Sequence, residues 1–600
     1  MRIGRQQAAR SVLLICIFLL FTQGSRTAVS QPSEAASAEN GRAAYNVKIP
    51  MRDGIKLSAD IYFPPGSGPF PAILSRTPYD NSMYLEYGRL WANRGFAFVA
   101  QDCRGRYDSE GEWEPIFNEP DDGRDTLQWI VSQKWSNGKV GMIGGSYGGW
   151  VQWLAAPDAG DALTAMVPMV APPNPFLNVP YTNGALTFGM GNWALLMDGR
   201  TNQLFGKALT GYDYVAEVHN VDKNVWRVPV VDFDEFSGRR IPWWKEWVLH
   251  DTYDDYWKRL GYQDKFDRIS APALNVTGWY DVQLIGPVMN YSGMIANGKT
   301  PESRKQKLLI GPWGHAVNQK LEVRDFGSDA VINLDSVVLR WFDYWLKGID
   351  TGILDEAPIR LFVMGANRWQ NEWEWPLART EWTKYYLHSR GKARSLGGDG
   401  RLSISLPETE PADTYDYDPA DPVLNKASET FAGMGSESLV FPGDLRDMHR
   451  RQDVLVYETP PLEEDVEIIG PVTLELHASS SARDTDWVAR LSDVFPDGTA
   501  WALCGTILRA RFRESLENPT LLEPGKIYTY ILEFWPTANH FFKGHRIRLD
   551  ITSSAFPTFD RNLNTGEHNG TSTQMQVAHQ TVYHTKDYPS HLVLPVIPEK

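Results

Sequence analysis

The sequence predicts an α/β domain built on a mostly parallel sheet, followed by an all-β domain. Three features predict it. Short apolar runs recur from Tyr45 to Ile310, with helical stretches between several of them. Lys139-Val-Gly-Met-Ile-Gly-Gly-Ser-Tyr-Gly-Gly-Trp150 reads as a strand, a sharp turn and the start of a helix. From Ile359 onward the pattern changes to short alternating strands such as Ile359–Met364, Val472–His477, Tyr528–Phe534 and His545–Ile551. A chain of 600 residues exceeds what one core supports, so more than one domain is expected.

The first thirty residues stand apart. Arg2, Arg5 and Arg10 precede the apolar run Val12–Phe21, and Ala28-Val-Ser30 offers small residues for cleavage. That is the layout of a secretory signal, and the run is short for a membrane span. Residues 1–30 are therefore expected to be a signal peptide and 31–44 a flexible leader, giving a secreted or periplasmic protein without integral membrane association. Removing residues 1–30 deletes four Arg and no acid, moving the formal charge from −15 to −19. So acidic a protein is a poor nucleic-acid partner. Cys103 and Cys504 are too far apart to suggest a metal site or a disulfide scaffold, and no cofactor is inferred.

In the first domain, Tyr45–Phe63 alternates around Asp53-Gly54 as a hairpin. Strand-like runs follow at Ala72–Leu74, Phe96–Ala100, Val140–Ile143, Ala165–Met169 and Ala273–Thr277, and Leu308–Ile310 makes an eighth. Continuous apolar strands alternating with helices imply a sheet covered on both faces. Asp121 or Asp122 is expected to cap the helix leading to Leu127–Val131. Trp341–Lys347 reads as an amphipathic helix stopped by Gly348.

Gly144, Ser146 and Gly148 form Gly-x-Ser-x-Gly, the pattern of a nucleophile elbow. Eight strands with the elbow after the fifth is the order of an α/β-hydrolase, whose site lies at the carboxyl ends of the strands. There the seventh strand ends in Gly278-Trp-Tyr-Asp281 and the eighth in Gly311-Pro-Trp-Gly-His315. The order Ser146, Asp281, His315 is the one this fold uses. Of 12 His only His219, His250 and His315 precede residue 350, and only His315 follows a sheet strand. The expected chemistry is nucleophilic attack by Ser146, proton transfer by His315, and orientation of the imidazole by Asp281. The Tyr147 backbone N–H is one expected oxyanion donor.

Arg76-Thr-Pro-Tyr-Asp80, Gln101-Asp-Cys-Arg-Gly-Arg106, Gly144–Gly149, Gly278–Asp281 and Gly311–His315 together resemble the CocE/NonD hydrolases, a group of ester hydrolases, acylases and X-Pro dipeptidyl-peptidases. The resemblance runs from about Tyr45 to the C-terminus. It implies that Tyr79 supplies the second oxyanion donor through its phenol. It also implies a helical cap over residues 171–270, inserted between hydrolase segments 45–170 and 271–352, and a jelly-roll over 353–600. The insert is rich in Trp and Tyr and lacks any sheet signal. The α-amino-acid ester hydrolases hold a substrate ammonium with cap acids, which gives Asp254 and Asp255 that candidate role. Their cluster also has an acid just past the nucleophile, where this chain has Tyr147, Gly148 and Gly149, so a helix N-cap and a surface acid are favoured.

The reading is thus a serine hydrolase cleaving an ester or amide of a small, bulky-acyl substrate. X-Pro dipeptidyl-peptidase, α-amino-acid ester hydrolase and β-lactam acylase activities stay open, as does a homo-oligomer. The rival from another class is a non-catalytic jelly-roll binding protein on a degenerate hydrolase, disfavoured because no triad residue is missing.

Overall fold

A computed structural model describes residues 42–202, 223–321, 324–425, 439 and 443–598. The proposed signal peptide and the leader up to residue 41 lie outside the described residues. Among the described residues the first sheet has ten strands. They are β1 Ala43–Pro50, β2 Lys56–Tyr62, β3 Phe70–Thr77, β4 Ala97–Asp102, β5 Ser136–Gly145, β6 Ala165–Met169, β7 Leu274–Gly278, β8 Lys307–Gly311, β9 Ile359–Val363 and β10 Arg368–Glu372. Their order is β1-β2-β4-β3-β5-β6-β7-β8-β9-β10. From β4 through β9 the pairing is parallel. β1 and β2 form the expected hairpin at one edge, and β10 closes the other edge antiparallel.

Ile359–Val363, read from sequence with the β-rich half, instead pairs with β8 as the ninth strand. Four of its five residues are buried, which suits a strand covered on both faces. The helix after β4 also differs from expectation. It is α1, Glu119–Ser132, with Asn118 at the N-cap and Pro120 in its first turn. Asp122 lies inside it, and both its oxygens bond Arg104, at 2.6 and 3.0 Å, rather than capping the helix.

Helix α2, Tyr147–Ala159, follows β5 and is buried on nearly every side. A helix apolar all round belongs between layers: one side meets α1, and Trp153 on another stacks on Tyr262 of the insert at 5.8 Å. Within the insert lie α3, Met190–Met197, a helix of equal length at Pro242–Leu249, single turns at Phe233–Phe236 and Asp255–Lys258, and a small hairpin pairing Tyr181 with Leu186. That hairpin is sheet structure the sequence did not announce; two-residue strands are too short to show alternation. On the opposite face, α4, Leu334–Lys347, buries Leu334, Val338, Trp341, Phe342 and Leu346 and stops at left-handed Gly348, φ 71°. The β-rich half forms a second sheet of thirteen strands among the described residues. No described helix is long and apolar enough to cross a membrane.

Candidate active site

Strand β5 delivers Ser146 into a turn with φ 56° and ψ −122°, a backbone region costing a non-glycine residue about 1–3 kcal/mol. Both of its backbone groups are bonded. Its N–H donates to Met169 O at 2.9 Å, and its carbonyl accepts from Gly149 and Trp150 N–H, each at 2.9 Å. A Cβ on Gly144 would stand 2.7 Å from Gly148 O, and one on Gly149 2.7 Å from Met169 O and 2.9 Å from the Ala171 methyl. These two glycines are sterically required. Gly148 is not, since its Cβ would meet only Arg76 O at 3.4 Å.

Asp281 and His315 sit on loops that are laced together. Trp279 N–H donates to Gly311 O and Tyr280 N–H to Trp313 O, each at 2.9 Å. Trp313 packs so tightly over both loops that a Cβ on Gly278 would lie 2.2 Å from its carbonyl oxygen and one on Gly311 2.2 Å from its ring. This explains the two glycines opening these motifs. Asp281 is buried; its Oδ2 is 2.6 Å from His315 Nδ1, and its Oδ1 accepts from Gln283 N–H at 2.7 Å. With Nδ1 donating to the carboxylate, Nε2 is the basic nitrogen. The imidazole is about one-third exposed, at 32%, so a substrate could reach it. Gly145 pairs with Met169, Met169 with Val276, and Gly278 with Gly311, so Ser146, Asp281 and His315 all follow the same edge of the sheet.

Tyr79 follows β3 and is half-buried. Its hydroxyl oxygen accepts from the Trp193 indole N–H at 3.1 Å, which turns the phenol's own proton away from the indole. Trp193 stacks on Tyr147 and Trp247, each at 6.2 Å. The Tyr147 side chain points inward, its hydroxyl donating to Glu119 at 2.9 Å and accepting from Ile116 N–H at 2.8 Å. Burial, with Glu119 beside it, pushes that phenol well above its usual range. Tyr147 therefore offers the site its backbone N–H, in the first turn of a helix where such groups lack helical partners. Glu119 is in turn paired with buried Arg76 at 2.7 Å, under the elbow.

Asp254 caps the short helix at Asp255–Lys258. Its Oδ1 accepts from Tyr256 N–H at 3.0 Å, and its Oδ2 is 2.6 Å from His250 Nδ1. Asp255 is exposed. Sequence reasoning did not single out Arg76, Gln283 or Arg106 as site supports. The available signal was two Arg residues standing in motifs beside apolar strands. A small cleft adjoins Asp281, with Thr182 from the insert and Cys504, Thr506 and Phe559 from the β-rich half in its wall.

The comparisons with known proteins make the chain a serine hydrolase. Residues 53–317 match the family described as X-Pro dipeptidyl-peptidase (S15 family), and residues 351–593 the X-Pro dipeptidyl-peptidase C-terminal non-catalytic domain. Cocaine esterase of Rhodococcus sp. (strain MB1 Bresler) is 37% identical over 584 residues, 93% of this chain and 99% of that one. A solved α-amino acid ester hydrolase superposes with a TM-score of 0.80 at 27% identity, covering 96% of this chain and 100% of its own. An aminopeptidase from a marine sediment Thaumarchaeota archaeon gives 0.78 at 25% identity, covering 96% and 99%. The chain belongs to the CocE/NonD hydrolases, within the X-Pro dipeptidyl-peptidase-like serine hydrolases.

Proposed function

We propose that the chain hydrolyses carboxylic esters of a small substrate, with amides as a second class, through Ser146, His315 and Asp281. The observation that carries this is the 2.6 Å contact between His315 and buried Asp281 on the sheet edge that also bears Ser146. Ser146 Oγ attacks the acyl carbon as His315 Nε2 takes its proton, and the leaving alkoxide or amine then receives that proton. Water releases the acyl group by the reverse proton path. The Tyr79 hydroxyl and the Tyr147 N–H hold the developing oxyanion.

Similarity along 93% of the chain to an enzyme named for an ester substrate supports the ester reading. The family match supports a second reading, X-Pro dipeptidyl-peptidase activity. A dipeptide's ammonium needs an acidic anchor, and Asp254 is engaged as a helix cap. Release of dipeptide from a Xaa-Pro anilide at a rate matching ester turnover would favour the peptidase. We further propose that residues 1–30 direct secretion and that the β-rich half is a jelly-roll sandwich.

Fluorophosphonate labelling tests the triad. A single adduct should map to Ser146 and be lost in Ser146→Ala and His315→Ala. No adduct on folded wild type would falsify the assignment.

A further inference from the structure

The loop from Cys103 to Ser109 contains a buried cation that the chemistry above does not use. Arg106 is fully buried. Its Nε–H donates to Pro78 O at 2.9 Å, one residue before Tyr79. Nη1 donates to Met197 O at 2.9 Å and to Gly199 O, at and just beyond the C-terminus of α3. Nη2 donates to Asn202 Oδ1 at 2.6 Å and lies 4.0 Å from Met197 Sδ. All five N–H donors of the guanidinium are thereby engaged. The plane also sits over the Trp113 ring at 4.8 Å, and Trp113 in turn packs on Trp193 at 5.8 Å. Gly105 lets the chain make this turn: its φ is +69°, and a Cβ there would stand 2.3 Å from Trp113 N.

Each end of the Tyr79–Trp193 hydrogen bond is thus tied to one rigid group. Arg106 fastens the backbone leading into Tyr79 and the end of the helix that carries Trp193. We propose that Arg106 is a positioning residue for hydrolysis, locking the Trp193 indole and the Tyr79 phenol in register so that the phenol's proton is aimed at the oxyanion. This rests on Tyr79 being an oxyanion donor. The guanidinium also meets no carboxylate among the described residues; its partners are four oxygens of neutral groups and a thioether sulfur. Burying an unpaired cation is costly, so its charge is poised to favour negative charge developing nearby. Burial lowers the Arg106 pKa, while Tyr79 is among the groups that raise it. Lysine cannot replace it, because three donors on one point cannot span Pro78, Met197 and Asn202 together.

The test is a double-mutant cycle with steady-state kinetics on an activated ester. Tyr79→Phe alone should lower kcat about 100- to 1,000-fold. Arg106→Lys should lower kcat about 10- to 100-fold with KM changed less than about threefold, since the oxyanion exists only in the transition state. In the Tyr79→Phe background, Arg106→Lys should cost less than about threefold further, because its target has gone. Equal losses in both backgrounds, or wild-type kcat in folded Arg106→Lys, would overturn the proposal and leave the Tyr79 assignment standing. Near-normal kcat for Tyr79→Phe would sink both. If Arg106→Lys does not fold, Trp193→Phe removes the indole N–H at the other end of the clamp. It must then show the same dependence on Tyr79, and additivity there also counts against the clamp.

Discussion

Gly148 and Gly149 are neighbours in one turn, yet the packing around them differs. Gly149 lies against Met169 O and the Ala171 methyl, so Gly149→Ala must push the elbow away from β6. Overpacking of this kind costs about 1–3 kcal/mol, and the shift falls on Ser146. Gly148→Ala meets only ordinary contact at 3.4 Å and gains about 0.5–1 kcal/mol of helix preference. Urea unfolding should therefore show Gly149→Ala destabilised and Gly148→Ala at or above wild type. Equal destabilisation would mean that the turn, not the packing, demands both glycines. At this scale much was legible in the sequence. The Asp281–His315 contact, and the strand ends that carry Ser146, Asp281 and His315, could be anticipated because chain order and the scarcity of His each narrowed the choice. Arg106 could not, because its partners at Pro78 and at 197–202 are joined only by folding.

Elements were legible where their own pattern decides their state, as in α4 with its apolar stripe and glycine stop. They were not where a distant partner decides. Ile359–Val363 has a pattern compatible with either sheet, and its parallel pairing with Lys307–Gly311 settles the matter. Similarly, Asp122 looks like a cap until Arg104 occupies it. The β-rich strands hide a comparable tie. His584, after the strand Ala578–Tyr583, is buried with Nε2 2.9 Å from Asp413 Oδ2 and Nδ1 3.1 Å from Glu410 Oε2; Ser389 and the Tyr457 ring also face it. Burial alone would lower the His584 pKa, but Asp413 and Glu410 outweigh it and raise it above 6.5. Burial would raise Asp413, yet the His584 hydrogen bond helps hold it below 3.8. A raised histidine stabilises fully below its unfolded pKa and loses that contribution as pH climbs through the folded value; a lowered carboxylate loses its own as pH falls. The pair contributes most between about 3.8 and 6.5. His584→Gln should thus lose more stability relative to wild type near pH 5.5 than near pH 8.5. A deficit independent of pH would show that His584 is neutral in the fold.

The whole molecule is joined through the insert's hairpin. Leu186 makes two hydrogen bonds to Asp560: its N–H donates to the side-chain Oδ1 at 3.0 Å and its carbonyl accepts from the Asp560 backbone N–H at 3.0 Å. Asn183 likewise bonds Arg509 N–H at 3.1 Å and Ile507 O at 2.9 Å. Beneath them, buried Arg509 pairs with Asp486 at 3.0 Å and Asp560 at 2.8 Å. Thr182 of that hairpin and Thr506 beside Ile507 share the cleft beside Asp281, so the β-rich half packs against the loop that carries the His315 partner. Arg509→Met leaves two buried carboxylates without their cation, a change worth about 3–5 kcal/mol. Burial already pushes Asp486 up to about 6 against the opposing pull of Arg509. Without the arginine Asp486 rises further and stays protonated at neutrality. An acid with a raised folded pKa loses stability as pH rises through it, so the variant's deficit should be smaller near pH 5 than near pH 7.5. The slackened hairpin should also lower kcat for an ester, because its Thr182 borders the cleft beside Asp281, the proposed partner of His315. A variant as stable as wild type at both pH values would mean that the backbone contacts hold the hairpin unaided. A pH-dependent stability loss with unchanged kcat would confine the network to fold maintenance.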